Sequence, residues 1–264
     1  MLALLIARTL DNKTTEIDVK LTDLDPASIN TIRILRSATD DILFNRENGK
    51  WWMREPYNLP ANEFRINTIL GLPGAHSYTR FGKDEVELEQ FLLDEPAVSV
   101  QFDNTRIDFG DTSPLGEQRY VLVNDVVHLV NDSLFQQLQT SATFFLSTRL
   151  LPDESEIKSI HFPDYAVIIH DGKWKVESGQ EVDESDIIKL VHAWHNADAV
   201  SIRNYEDSDT SGTIRVELED GSIIEFIIVT PLPQLVLARQ DFGLQYHISG
   251  YDAEQLFLHP VANN

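Results

Sequence analysis

The sequence predicts an α+β fold built from two tandem copies of one unit, with mainly antiparallel sheets. Each half contains a tight turn followed by Lys-Trp, an Ile-x-x-Ile segment before that turn, and an amphipathic helical segment after it. Several predicted strands also alternate apolar and polar side chains, which is typical of antiparallel sheets with one buried face and one solvated face. These observations together predict an internal repeat.

The turns are the strongest local signals. Asn48-Gly49 lies between two apolar runs in the first half, and Asp171-Gly172 lies between two apolar runs in the second. Both central positions of a two-residue hairpin turn need positive φ, which Asn, Asp and Gly tolerate best. Gly49 and Gly172 are therefore predicted turn residues. Trp51 and Trp174 are predicted to cover the core beside these turns, with ligand stacking as the alternative role.

The flanking segments extend the two hairpins to a whole unit. Ile29–Ile32 and Ile157–Ile160 are predicted to open the first strand of each copy, and helices are predicted over Ala61–Leu72 and after an Asp183 cap. Four more strands and a closing helix follow in each half. The predicted unit is β-β-β-α-β-β-β-β-α, once in residues 21–150 and again in 151–264, preceded by an N-terminal segment, 1–20.

Composition limits the classes of protein to consider. The 264 residues are 42% hydrophobic and 24% charged, as in ordinary globular domains. With 43 acidic against 21 basic side chains, the net charge is −22, a field that repels phosphate backbones, so nucleic acid is not an expected partner. The chain has no cysteine, which excludes disulfides, thiol nucleophiles and thiolate metal sites.

The N-terminal residues are apolar over a short stretch. Met1–Ala7 precede Arg8 and fit either the end of a longer apolar helix or a frayed terminal strand or helix. The stretch is far shorter than the ~20 apolar residues that span a bilayer. A membrane anchor that begins upstream of residue 1 is therefore one of two open interpretations.

The spaced motifs also resemble a known family. The chain is similar to the bacterial domain of unknown function 4340 family from about Leu21 to Phe257. The motifs that carry the resemblance are Leu24-Asp25-Pro26, Ile29-x-x-Ile32, Gly49-Lys50-Trp51, Pro56, Ala61 and Tyr120-Val121. The resemblance implies an N-terminal membrane anchor, of which this sequence has only Leu2–Ala7. Some members of the family are encoded beside auxiliary components of gliding-type ABC transporters, and the resemblance supplies no catalytic residues.

Two segments suggest metal chemistry. Asp207, Asp209 and Ser211 occupy the first three ligand positions of a calcium loop with Gly212 in the correct place, but the closing position is Leu218 instead of Glu. An ordinary Asp- and Ser-rich loop is the alternative. His192 and His195 are three residues apart on a predicted helix, although two ligands alone do not make a metal site.

Catalytic and cofactor motifs are absent from the sequence. It contains no Gly-x-Ser-x-Gly nucleophile elbow and no phosphate-binding glycine loop. We therefore expect no enzyme activity and no cofactor. The expected function is a non-catalytic extracytoplasmic interaction module on the periplasmic side of the inner membrane, accessory to an ABC-transporter-type membrane complex. The first alternative is a periplasmic protein that binds a glycan or peptide in the cleft between the repeats. The second is a hydrolase whose site residues are dispersed along the sequence, because catalytic triads are spatial and not sequential.

Overall fold

A computed structural model describes residues 19–114, 116–177, 182–207 and 210–258. The apolar stretch Leu2–Ala7 and most of the predicted segment 1–20 lie outside these residues. The chain forms two sheets whose pairings are antiparallel, with short helices between strands, so the predicted α+β class is confirmed. It divides into two compact units, Met1–Gly49 with Phe64–Gln139 and Lys50–Glu63 with Thr140–Asn264.

The helices and strands have the following bounds. The first half contains β1 Thr31–Arg36, β2 Ile42–Glu47, β3 Lys50–Glu55, β4 Leu59–Pro60, α1 Glu63–Leu70, β5 Thr79–Gly82, β6 Val98–Phe102, β7 Thr105–Thr112, β8 Gln118–Val123, β9 Val126–Asn131 and α2 Phe135–Leu138. The second half contains β10 Ile157–His161, β11 Ala166–His170, β12 Lys173–Glu177, α3 Glu184–His195, β13 Ser201–Asn204, β14 Thr213–Leu218, β15 Ile223–Thr230, β16 Val236–Arg239, β17 Leu244–His247 and α4 Gly250–Gln255.

The first unit is organised around an antiparallel sheet in the order β2-β1-β6-β7-β8-β9-β5. Alternate residues of its strands face the core, as the pleat of a strand requires. Ile32 and Ile34 of β1 are fully buried, and Val100 on the adjacent strand β6 lies opposite Ile34. The alternation of apolar and polar residues in the sequence therefore identifies the side chains that form this core.

The second unit contains a sheet in the order β12-β11-β10-β14-β15-β16-β17-β13. Trp194 of α3 is fully buried, and its indole N–H donates to the carbonyl of Leu256, 3.0 Å away. Its ring also contacts Phe226 of β15 at a centroid distance of 5.7 Å. The two helices α3 and α4 are thus joined through one tryptophan. Strands β3 and β4, which pair with each other, belong to the same unit.

Some elements differ from the sequence predictions. The first helix begins at Glu63 instead of Ala61 and ends at Leu70, and its Phe64 side chain is 81% exposed. The short strand β4 is additional before the first helix. Strands β5 and β13 are additional after the helices, so five described strands follow the helix in each half instead of four. Both strands are terminal in their sheets and bury few side chains, and such edge strands carry little hydrophobic pattern.

In the described parts of the chain, no helix has the length and apolar character that crossing a membrane requires.

Candidate functional site

The two predicted hairpin turns have the same backbone geometry. Asn48 and Gly49 have φ angles of 50° and 82°, and Asp171 and Gly172 have φ angles of 53° and 72°. Positive φ at both central residues defines the type I′ turn, whose twist matches that of the flanking strands. Gly49 and Gly172 therefore occupy equivalent turn positions.

The two tryptophans beside these turns differ in burial. Trp51 on β3 is 2% exposed, whereas Trp174 on β12 is only partly buried. Both lie two residues after the turn glycine, so the turn itself does not account for the difference.

The outer edge of β3 is occupied by the chain itself. Strand β4 pairs with β3, placing Leu59 opposite Met53 and Pro60 opposite Trp52. The backbone of Trp51 is satisfied at the same edge. Its carbonyl accepts from the Ala61 N–H at 2.9 Å, and its N–H donates to the Glu63 carboxylate at 3.0 Å. The segment after β3 thus completes this strand edge.

The outer edge of β12 has no such strand partner among the residues that the structure describes. Strand β12 pairs with β11, with His170 opposite Lys173 and Ile169 opposite Trp174, and it is the terminal strand of its sheet. In a two-residue hairpin the residues next to the turn form a hydrogen-bonded pair, and hydrogen-bonded and non-bonded pairs then alternate. The N–H and C=O groups of Trp174 and Val176 therefore point away from β11. Within the described ranges, no backbone group pairs with them.

Two lysines lie on this open edge. The side chains of Lys173 and Lys175 are on the face opposite to Trp174, because neighbouring residues of a strand alternate. Both residues are exposed, and no carboxylate of the described chain lies within ion-pair distance of either. Two lysines without an acidic partner in the described ranges are unexpected in a chain with a net charge of −22.

The three residues predicted to bind calcium do not form a ligand shell in the part of the chain that the structure describes. Asp209 lies outside the described residues, while Asp207 accepts a hydrogen bond from the Tyr205 hydroxyl at 3.4 Å. The Ser211 N–H donates to the Ile228 carbonyl, which continues the pairing of β14 with β15. Over the ranges that the structure covers, no group of three or more His, Asp or Glu side chains could hold a metal ion.

The histidine pair on α3 makes local contacts. His192 Nδ1 lies 3.4 Å from the Asn196 amide nitrogen, and the carbonyl of His195 accepts from the Arg149 guanidinium at 2.6 Å. The backbone of His195 is therefore tied to the segment before β10. Neither imidazole belongs to a described metal-ligand group.

A buried Ser-His contact in the first unit was missed by sequence reasoning. Ser77 Oγ is 2.9 Å from His128 Nδ1, and the same hydroxyl donates to the Thr79 carbonyl at 3.2 Å. Burial, together with the nearby Arg80, lowers the pKa of His128 and favours a neutral imidazole. The Ser77 hydroxyl therefore has two buried partners, a backbone carbonyl and an imidazole nitrogen.

A second polar cluster joins β10 to β14. Ser159 Oγ lies 3.1 Å from His161 Nε2 and 3.3 Å from a Glu217 carboxylate oxygen, and Lys158 Nζ bonds the other oxygen at 2.5 Å. The Lys158 hydrogen bond is the main cause that lowers the pKa of Glu217, which makes this carboxylate a weak base. Ser159 is buried. The cluster therefore holds the two strands together, and its geometry does not create an accessible nucleophile.

A cavity of about 520 Å³ lies between the β15–β16 loop, the end of β17 and the start of α4. Its lining combines the buried apolar residues Leu235 and Val236 with His247. Burial and the charge of Arg203 lower the pKa of His247. This volume falls within the range of small-molecule pockets.

Comparison with known families matches residues 51–211 to the family described as Domain of unknown function (DUF4340). Comparisons with curated proteins and with solved structures find no match. The matched residues begin at Trp51, directly after the first turn, include the whole of the second turn, and cover more than half of the chain. The family resemblance predicted from the turn motifs is thus confirmed: the chain belongs to the DUF4340 family.

Proposed function

We propose that the chain is a non-catalytic interaction module that docks an extended segment of a protein partner on the open edge of β12. The observation that carries the proposal is the difference between two equivalent strand edges. The outward backbone groups of Trp51 are bonded by Ala61 and Glu63, whereas those of Trp174 have no bonding group in the described parts of the chain. An edge of this kind recognises a peptide by adding it as a further strand.

The proposed architecture is a pair of diverged copies of one unit. Its support is the order of the strands, β2-β1-β6-β7-β8-β9-β5 in the first half and β11-β10-β14-β15-β16-β17-β13 in the second. Each position in one order corresponds to the same position in the other. The shared type I′ turns support the same proposal. Duplication gives two similar edges, of which one is completed by the chain and the other has no bonding group within the described ranges, which omit residues 178–181.

The proposed setting is the extracytoplasmic face of the inner membrane, where the partner belongs to an ABC-transporter-type complex. The resemblance to the DUF4340 family supports this setting, and the cysteine-free composition is compatible with an oxidising compartment.

The proposal can be tested by photo-cross-linking in native cells. A photoreactive residue at Lys175 should give an adduct with a membrane protein, and Val176→Pro should abolish that adduct, because proline removes an outward N–H. The same photoreactive residue at exposed Ile223, in the interior of the sheet, is the matched control. Adducts that form equally from both positions and survive Val176→Pro would overturn the proposal.

The folding of the proline variant needs its own check. Proline is tolerated where the strand N–H faces solvent, so Val176→Pro should remain folded by circular dichroism. Lys175→Pro removes a ladder bond to β11 and should lower the free energy of unfolding more than Val176→Pro does. If both variants unfold, hydrogen exchange of the unaltered chain tests docking without a substitution. The Trp174 and Val176 amides should exchange quickly alone and slowly with partner-containing membranes, and unchanged exchange would contradict docking.

A further inference from the structure

The edge of β12 has a chemical pattern besides the backbone groups that lack a partner in the described residues. Val176 lies opposite the fully buried Val167, so Trp174 and Val176 share the apolar face of the sheet. Lys173 and Lys175 lie on the other face, with His170 opposite Lys173. An added strand would therefore meet an apolar row on one face and a cationic row on the other.

The occupied edge of β3 shows which residues suit the apolar row. Leu59 lies opposite Met53, and Ala61 bonds the backbone of Trp51. Met53 and Trp51 correspond to Val176 and Trp174 when the two Gly-Lys-Trp turns are aligned. The chain's own edge segment thus places apolar side chains at alternate positions, two residues apart, beside the equivalents of Trp174 and Val176.

The cationic row determines which side chains are favourable at the remaining positions of an added strand. Directly opposite residues in a ladder lie on one face, so side chains opposite Lys173 and Lys175 would meet two ammonium groups that have no ion pair in the described chain. Carboxylates at these positions are favourable, and lysines there are repelled. Asp171 and Glu177 lie on either side of the two lysines and repel a carboxylate placed opposite them. The favourable positions for acidic residues are therefore the two that lie opposite Lys173 and Lys175. Edge lysines also disfavour pairing with uncharged strands.

We infer that the occupant of the β12 edge is an extended partner segment in which apolar and acidic residues alternate. Its apolar side chains contact Trp174 and Val176, and its carboxylates contact Lys173 and Lys175. The inference rests on the proposed docking function and adds the chemistry of the partner to it.

Short synthetic peptides can test the inference on the full chain. The probes are a peptide in which valine and glutamate alternate, with valine–glutamine and valine–lysine peptides of equal length as controls. Chemical shifts of the Trp174 and Val176 amides report binding at the edge. The valine–glutamate peptide should bind at least tenfold more tightly than the valine–glutamine peptide, and added salt should reduce that ratio, because exposed charges are screened.

Charge-reversed variants separate the two levels of the proposal. Lys173→Glu with Lys175→Glu should invert the preference towards the valine–lysine peptide, and circular dichroism should stay unchanged because both side chains are exposed. Equal binding of all three peptides at the edge would overturn the acidic partner but leave docking intact. Absence of binding by every peptide would overturn both. Edge-dependent dimers of the chain alone in sedimentation, abolished by the charge reversal, would instead assign the edge to a second copy.

Discussion

Glycine at a hairpin turn shows how a single residue determines local backbone geometry. Gly172 has a φ of 72°, and a Cβ built on it would meet no atom within 4 Å. Any cost of a side chain at this position therefore comes from the backbone conformation and not from packing. Gly49 has the same surroundings in the first hairpin, with a φ of 82°.

We expect Gly172→Ala to lower the free energy of unfolding by about 1–2 kcal/mol, because a side chain disfavours the left-handed region. Urea unfolding followed by circular dichroism would measure the change. Gly74→Ala is the matched control, since Gly74 also has no neighbour within 4 Å but lies outside the left-handed region. An equal effect of the two substitutions would contradict a backbone origin.

At the scale of the element, α3 illustrates a helix start that sequence reasoning located correctly. The predicted cap Asp183 precedes the helix, and its carboxylate accepts from the Ser185 N–H at 2.9 Å. That backbone hydrogen bond is the main cause that lowers the pKa of Asp183 below its ordinary value. The carboxylate therefore stabilises the folded state at pH values above the pKa of the unfolded chain. This stabilisation is lost as the pH falls through the lower pKa of the folded state.

Asp183→Ala should lower the urea midpoint at neutral pH, and the difference from the unaltered chain should shrink as the pH falls below the ordinary aspartate range. Unfolding measured at several acidic pH values would test this. Asp183→Asn keeps an acceptor for the Ser185 N–H without the charge, so it should stay closer to the unaltered chain at neutral pH. A difference that grows on acidification would contradict the capping role.

The edge strands mark the limit of element prediction. Strands β5 and β13 carry polar, mostly exposed residues such as Arg80 and Arg203, so neither shows the alternation that identified the central strands. The backbone bonds of β13 come from pairing with β17, which is distant in sequence. The sequence pattern of a four-residue segment cannot show which distant strand pairs with it.

At the scale of the whole molecule, the net charge of −22 is the dominant long-range feature. Repulsion between like charges destabilises a compact state, and salt screens it. The Debye length falls from about 30 Å at 0.01 M to about 8 Å at 0.15 M ionic strength.

Raising sodium chloride over this range should therefore increase the thermal unfolding midpoint, measured by circular dichroism. Chloride is preferred to sulfate, because sulfate also stabilises proteins through exclusion from their surface. A midpoint that falls with salt would indicate that favourable ion pairs, such as Arg119 with Asp132, outweigh the repulsion.

The sequence by itself determined the α+β class, the type I′ turns at Gly49 and Gly172, the cap at Asp183 and the family. These features depend on backbone preferences and on the periodicity of apolar side chains within a few neighbouring residues. Only the tertiary structure decided that the edge of β3 is completed, how Ser159 meets Glu217, and that Trp51 is buried whereas Trp174 is only partly buried. Those outcomes depend on pairing between segments far apart in the chain, which no local pattern of side chains encodes.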